Sequence, residues 1–343
     1  MNSFFTSKSN EPVNPTVERD QMIPWVEKYR PKNVSELVYQ NEVVAVFKKI
    51  LEGADMPNML LYGPPGTGKT SAAIALCRQL FPTGEIYRDR VLNLNASDER
   101  GIQMVRSRIK EFAFRALPKS GVPLKIVILD EADAMTSAAQ AAMRRIMEKF
   151  SKTTRFFLIC NYVSRIIDPL ASRCAKFRFK PLPMESQLER MEFICKHEGV
   201  NIDRKILELL ITLCEGDLRR SINYLQSVSC RENITNDFVL SMIGQVDLKH
   251  VVRLVNACHS PDIERVLAAL EEIRREGHAG IPLISLLYDQ LLEDDDLTEM
   301  QKSAIFEKMA VIEARLMEGS DGYIQLLDLV TCIQWHFTHP KSS

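Results

Sequence analysis

Gly63-Pro64-Pro65-Gly66-Thr67-Gly68-Lys69-Thr70 has the composition and spacing of a loop built to hold phosphate. A short apolar run, Met59 to Tyr62, precedes it, and Ser71 opens the helical run S-A-A-I-A-L-C behind it. In that order the glycines let backbone N–H groups converge on phosphate oxygens, and the helix N-terminus adds positive potential. Lys69 is then expected to reach the β- and γ-phosphates, while the Thr70 hydroxyl holds Mg²⁺. About 60 residues on, I-V-I-L-D-E ends an apolar strand in Asp130 and Glu131. Asp130 is expected beside the metal and Glu131 where it can polarise an attacking water. Asn161 closes another apolar run, F-F-L-I-C, at the strand end where ligands bind in such sheets. It is a candidate for orienting that water or sensing the γ-phosphate. Together these residues predict hydrolysis of a nucleoside triphosphate with Mg²⁺, rather than binding alone.

Such groups need a rigid frame, and the hydropathy pattern supplies one. The runs at 59–62, 91–94, 126–129 and 156–160 are continuously apolar, as strands buried on both faces are, and helical stretches separate them. The expectation is α/β: a parallel sheet with flanking helices over 24–181, preceded by a polar segment at 1–23. Pro181 and Pro183 mark a joint, after which strand signals vanish. A small helical domain is expected over 182–244 and a second, all-α domain over 245–343.

Net charge is −1, and 45% of the 343 residues are hydrophobic against 26% charged. That composition fits a globular chain and gives no global positive field for a polyanion. No apolar run approaches the roughly 18 residues of a membrane span. The eight cysteines form no C-x-x-C pair, which fits a reducing compartment and excludes a zinc ribbon.

The phosphate loop, D-E-A-D after an apolar strand, the strand ending in asparagine, S-R-C at 172–174 and G-D-L-R-R at 216–220 resemble the AAA+ ATPases. More narrowly, W-V-E-K-Y-R-P at 25–31 and L-N-A-S-D-E-R-G-I at 94–102 look like the small subunits of the eukaryotic clamp loader, replication factor C. The resemblance implies ATP as the nucleotide and a hetero-pentamer in which each nucleotide lies between neighbours. Arg173 matches an arginine finger acting in trans, and Arg219 a second sensor that reaches the nucleotide from a helical lid (182–244). Val26, Arg30 and Val38 match positions around the adenine and its phosphates. The last domain resembles the collar that joins five subunits. Implied partners are other replication factor C subunits, a PCNA-type sliding clamp and primer–template DNA, with a nuclear role in replication and repair. Hydrolysis is expected mainly in the assembled complex.

Positive charge is local. Residues 144–180 carry ten basic side chains against Glu148 and Asp168. Arg106 and Lys110 lie one helical turn apart. The DNA partner that the resemblance implies makes Arg100, Arg106, Lys110, Lys152 and Arg165 candidates for contacts with its backbone. Two other readings compete: a different AAA+ machine, such as a branch-migration motor or protein remodeller, and a mainly structural ring subunit with little turnover.

Overall fold

A computed structural model describes residues 23–37, 39–97, 102–115, 124–231, 234–244 and 246–339; the side chains of 102–106 and 237 lie outside that description. The chain divides into two compact units, 1–230 and 231–343.

The first unit is built on five parallel strands: β1 (Met59–Tyr62), β2 (Val91–Asn95), β3 (Lys125–Asp130), β4 (Thr154–Cys160) and β5 (Ala175–Arg178). Their order in the sheet is β2-β3-β4-β1-β5. Strand side chains alternate between faces, so a run that is apolar throughout must be covered on both. Met59, Leu61, Ile126, Ile128, Phe157 and Ile159 enter one core, with Phe47 and Leu76 from the helices on that side. Leu60, Val127, Leu129, Phe156 and Leu158 enter the other, with Ile109, Phe112, Met143 and Ile146.

β5 departs from the sequence expectation. A-K-F-R carries two cations and alternates half-buried with exposed positions. Among the described residues it pairs only with β1, at the edge of the sheet, and half its side chains are exposed, so no continuous apolar run marks it. From about 34 the apolar positions Leu37, Val38, Val43, Val44, Phe47, Ile50 and Leu51 recur near a helical period, yet the backbone leaves the helical region at Tyr39, where φ is 66°. The regular helix is Asn41–Leu51.

One buried cation terminates a helix. Lys125, at the start of β3, donates from Nζ to the carbonyl oxygens of Phe112 (2.7 Å), Ala113 and Arg115, the end of the helix Ile102–Phe114. Burial, reinforced by Arg90 and Arg115, holds its ammonium below the ordinary lysine range. The last carbonyls of a helix have no intrahelical partner, so this one side chain satisfies them. Lys125→Met keeps the bulk and removes the donors. It is expected to lower stability by roughly 1–3 kcal/mol, read as a lower urea midpoint, and an unchanged midpoint would refute the capping role.

Beyond the sheet, the first unit continues with helices Met184–Glu198, Arg204–Leu213 and Leu218–Val228. The second unit holds helices Asn236–Ile243, Leu248–Cys258, Ile263–Arg275, Gly280–Leu292, Glu299–Met317 and Gly322–Thr338. Leu254, Leu270, Leu287, Ile305 and Leu329 lie in its apolar core. The joint expected near Gln245 lies outside the described residues, while the division between units falls at 230/231. No helix among the described residues is long and apolar enough to cross a membrane.

Candidate functional site

A cleft of about 340 Å³ opens at the C-terminal ends of the strands, lined by Pro65 to Ser71, Asn95, Asp130, Glu131 and Asn161. β1 ends at Tyr62, and the loop turns back over the sheet before the helix Lys69–Leu80 begins. Two glycines in the loop have no substitute. At Gly63, φ is +148° and a Cβ would lie 2.3 Å from the Phe179 carbonyl oxygen. At Gly66, φ is +70° and a Cβ would meet Asp217 Oδ1 at 2.0 Å.

Lys69 is only 7% exposed. Its Nζ donates to Gly63 O (2.8 Å), Pro64 O (2.7 Å) and Asn161 Oδ1 (2.9 Å). Burial holds the ammonium below its ordinary range, with Asp130 pulling the other way. An anion entering the cleft therefore meets a desolvated cation whose present acceptors are neutral, and a phosphate is a stronger acceptor than a carbonyl. The Thr70 hydroxyl donates to Asp130 Oδ2 at 2.8 Å. A hydroxyl and a carboxylate converging at the cleft are hard oxygen donors, the set that Mg²⁺ prefers. These residues fit that ion.

Glu131 follows Asp130 with φ 52°, and its N–H is held by Asp130 Oδ1 at 3.0 Å. The turn leaves its carboxylate exposed at the cleft. Asp133, not singled out from the sequence, fixes the other wall. Its Oδ2 accepts from both Asn161 N and Tyr162 N at 3.1 Å. Asn161 is thus fixed through its backbone while its side chain reaches Lys69. The D-E-A-D run contained this signal, though nothing local indicated a partner 28 residues away.

Val26, Arg30 and Arg219 line the same cleft, and Val38 lies outside the described residues. Tyr29 and Arg190 line it too, and the sequence carried no sign of this. Arg190 donates to Tyr29 O at 2.6 Å. The Tyr29 hydroxyl and Lys28 Nζ both bond Glu198 Oε1, at 2.5 and 2.7 Å, and Trp25 N bonds Gln226. These contacts lash the segment carrying Val26 and Arg30 to the helices of 184–228. Asp217 caps the helix Leu218–Val228 by accepting from Arg219 N and Arg220 N, which brings the exposed Arg219 to the cleft above the phosphate loop. Gly63 and Pro64 stand behind the cleft and serve it through their carbonyls.

Arg173 does not line this cleft. It is partly exposed beyond the short helix Asp168–Ala171 and makes an ion pair with Glu148. Lys110, Lys152 and Arg165 are exposed, Arg165 lying 5.2 Å from the Tyr162 ring centre. Arg100 and the Arg106 side chain lie outside the described residues. Part of the basic surplus is spent locally: Arg155 bonds Met56 O, Ser151 O and Asp55, and Lys180 pairs with Glu42.

Three family models match the chain in succession: ATPase family associated with various cellular activities over 59–182, RCF1/5-like AAA+ ATPase lid domain over 189–230, and replication factor C C-terminal domain over 246–332. The fold and cleft are thus those of an AAA ATPase, and ATPase activity comes with that class. Replication factor C subunit 4 of Homo sapiens is 50% identical over 320 residues, covering 91% of this chain and 88% of that protein. The Arabidopsis thaliana subunit 4 is 50% identical over 318 residues (90% and 94%), and the Saccharomyces cerevisiae subunit 2 is 42% identical over 326 (90% and 92%). The chain belongs to the replication factor C small-subunit family. A Thermotoga maritima RuvB variant shares the fold alone, at TM-score 0.50 and 17% identity over 66% of this chain and 79% of that one.

Proposed function

We propose that this chain is an ATP-hydrolysing subunit of a sliding-clamp loader, in a hetero-pentamer with other replication factor C subunits, acting on a PCNA-type clamp and primer–template DNA in the nucleus. The observation that carries the reading is the convergence of Lys69, the Thr70–Asp130 pair, Glu131 and Asn161 on one cleft that Arg173 does not share. Gly63 to Ser71 cradle the triphosphate. Lys69 exchanges its carbonyl and Asn161 partners for phosphate oxygens. Asn161 and Glu131 face the position of the attacking water, and Glu131 takes its proton. Thr70 and Asp130 would hold Mg²⁺, which supplies charge neutralisation on the β- and γ-oxygens. Arg219 enters from the 182–244 lid, while Val26, Arg30 and Val38 enclose the base end. Arg173 completes the pocket of the adjoining subunit.

Lys110, Lys152 and Arg165, with Arg100 and Arg106, contact the DNA backbone through charge, so that binding falls steeply with salt. The 245–343 collar holds the ring together. Of the competing readings, a mainly structural subunit is disfavoured by a complete set of hydrolytic side chains. The direct experiment compares ATP turnover of the isolated chain with that of the assembled complex, with and without clamp and primed DNA. Turnover per site is expected to rise by roughly 10³-fold on assembly with both ligands, the scale of an arginine finger. An isolated chain as fast as the stimulated complex would rule the reading out.

A further inference from the structure

One oxygen connects two arginines on the face that carries Arg173. Arg144 and Glu148 stand four residues apart on the helix Ser137–Lys149 and so share one side of it. Glu148 Oε1 accepts from Arg144 Nε at 3.1 Å and pairs with Arg173 Nη2 at 2.5 Å. Arg173 Nη1 donates to Pro169 O at 2.5 Å. All three charged side chains are partly or well exposed, at 43%, 43% and 34%. Exposed ion pairs contribute little to stability, so this cluster needs a reason other than holding the fold together.

We infer that Glu148 is a positioning residue for Arg173, fixing its guanidinium in the orientation required to meet the γ-phosphate held by the adjoining subunit. The inference rests on the trans-finger reading of Arg173. A guanidinium has five N–H donors in a rigid plane. Two of its nitrogens are tied to Glu148 and Pro169, which sets the plane, and the remaining donors stay available to an anion. Glu148 is ionised through the neutral range as any glutamate is, and the Arg144 hydrogen bond lowers its pKa further. Arg144 also offsets the negative charge that Glu148 would otherwise present to an incoming phosphate. Two cations and one anion leave the face net positive. A long side chain freed of these ties would sample many rotamers, and misplacement by about 1 Å can lower turnover by about 10²-fold.

The test uses the assembled complex with clamp and primed DNA, comparing Glu148→Ala, Glu148→Gln, Arg173→Ala and the double variant E148A/R173A. Glu148→Ala is expected to lower kcat at the receiving site roughly 10- to 100-fold, with KM for ATP and the melting temperature of the isolated chain unchanged. Glu148→Gln keeps the acceptor oxygen and is expected to recover most of the loss. The double variant is expected to equal Arg173→Ala, since a missing finger has nothing to orient. An inactive Arg173→Ala beside a fully active Glu148→Ala would remove the role of Glu148 alone. A fully active Arg173→Ala would remove the finger reading and this inference with it. Losses that multiply in the double variant would assign Glu148 to some other contact.

Discussion

In a ring whose other sites are silenced, Arg173→Ala is expected to lower hydrolysis at the receiving site by about 10³-fold or more. Binding of ATP to the variant subunit's own cleft should be unaffected, because Arg173 lines no part of it. The asymmetry is the informative part. A structural arginine would show up in the subunit that carries it, as lower melting temperature or weaker nucleotide binding. A trans-acting one leaves its own subunit intact and disables its neighbour. Stability should change little, because the ion pair with Glu148 is exposed and surface pairs contribute about 0–1 kcal/mol. The measurement is single-turnover ATP hydrolysis in rings assembled with clamp and primed DNA, set beside nucleotide titration of the isolated variant. If the loss appeared in the titration and not in the ring, Arg173 would belong to its own subunit's site.

What could be read from the chain followed the range of the interactions. The phosphate cradle is contiguous from Gly63 to Ser71, and the strands buried on both faces are short unbroken apolar runs. Both are local and therefore legible. The position of Asp130 and Glu131 is legible because a strand end is a local signal too. Elements whose partners are distant left no such trace. Arg190 supports Tyr29 across 161 residues, and nothing in the pattern around either one announces the other. Asp133 reads as one more acid in D-E-A-D until Asn161 and Tyr162 are brought to it by the packing of β4. Glu148 looked like a lone acid diluting a basic stretch, yet the fold makes it the hub of two arginines. β5 is illegible for the opposite reason: its alternation, four residues long and cationic, is what an exposed turn also looks like. The helix start is not legible, because Leu37 and Val38 continue the apolar rhythm while φ turns positive at Tyr39. There Gln40 is held at both ends of its amide by Lys180.

Lys69→Ala is expected to separate nucleotide affinity from folding. In the free protein the ammonium is buried at some cost, since burial is the main influence depressing its pKa. Removing it relieves that cost but strips Gly63 O, Pro64 O and Asn161 Oδ1 of a donor. Unsatisfied acceptors cost about 1–3 kcal/mol when sealed from water. Here Asn161 lines the open cleft and Pro64 is exposed, so water can replace the ammonium at those two, and Gly63 O alone is buried. The two effects oppose each other, and the net change in stability should stay within about 1–2 kcal/mol. Affinity has no such compensation. The bound triphosphate loses its buried cation, and charge-assisted hydrogen bonds contribute about 1.5–3 kcal/mol each. ATP binding should weaken by roughly 10²-fold, and the rate at saturation should fall further because charge on the transferring phosphoryl group is no longer neutralised. Calorimetric titration of ATP against the variant, beside its thermal melt, checks both halves. Near-normal affinity with a collapsed melting temperature would mean that Lys69 holds the loop together and does not bind the nucleotide.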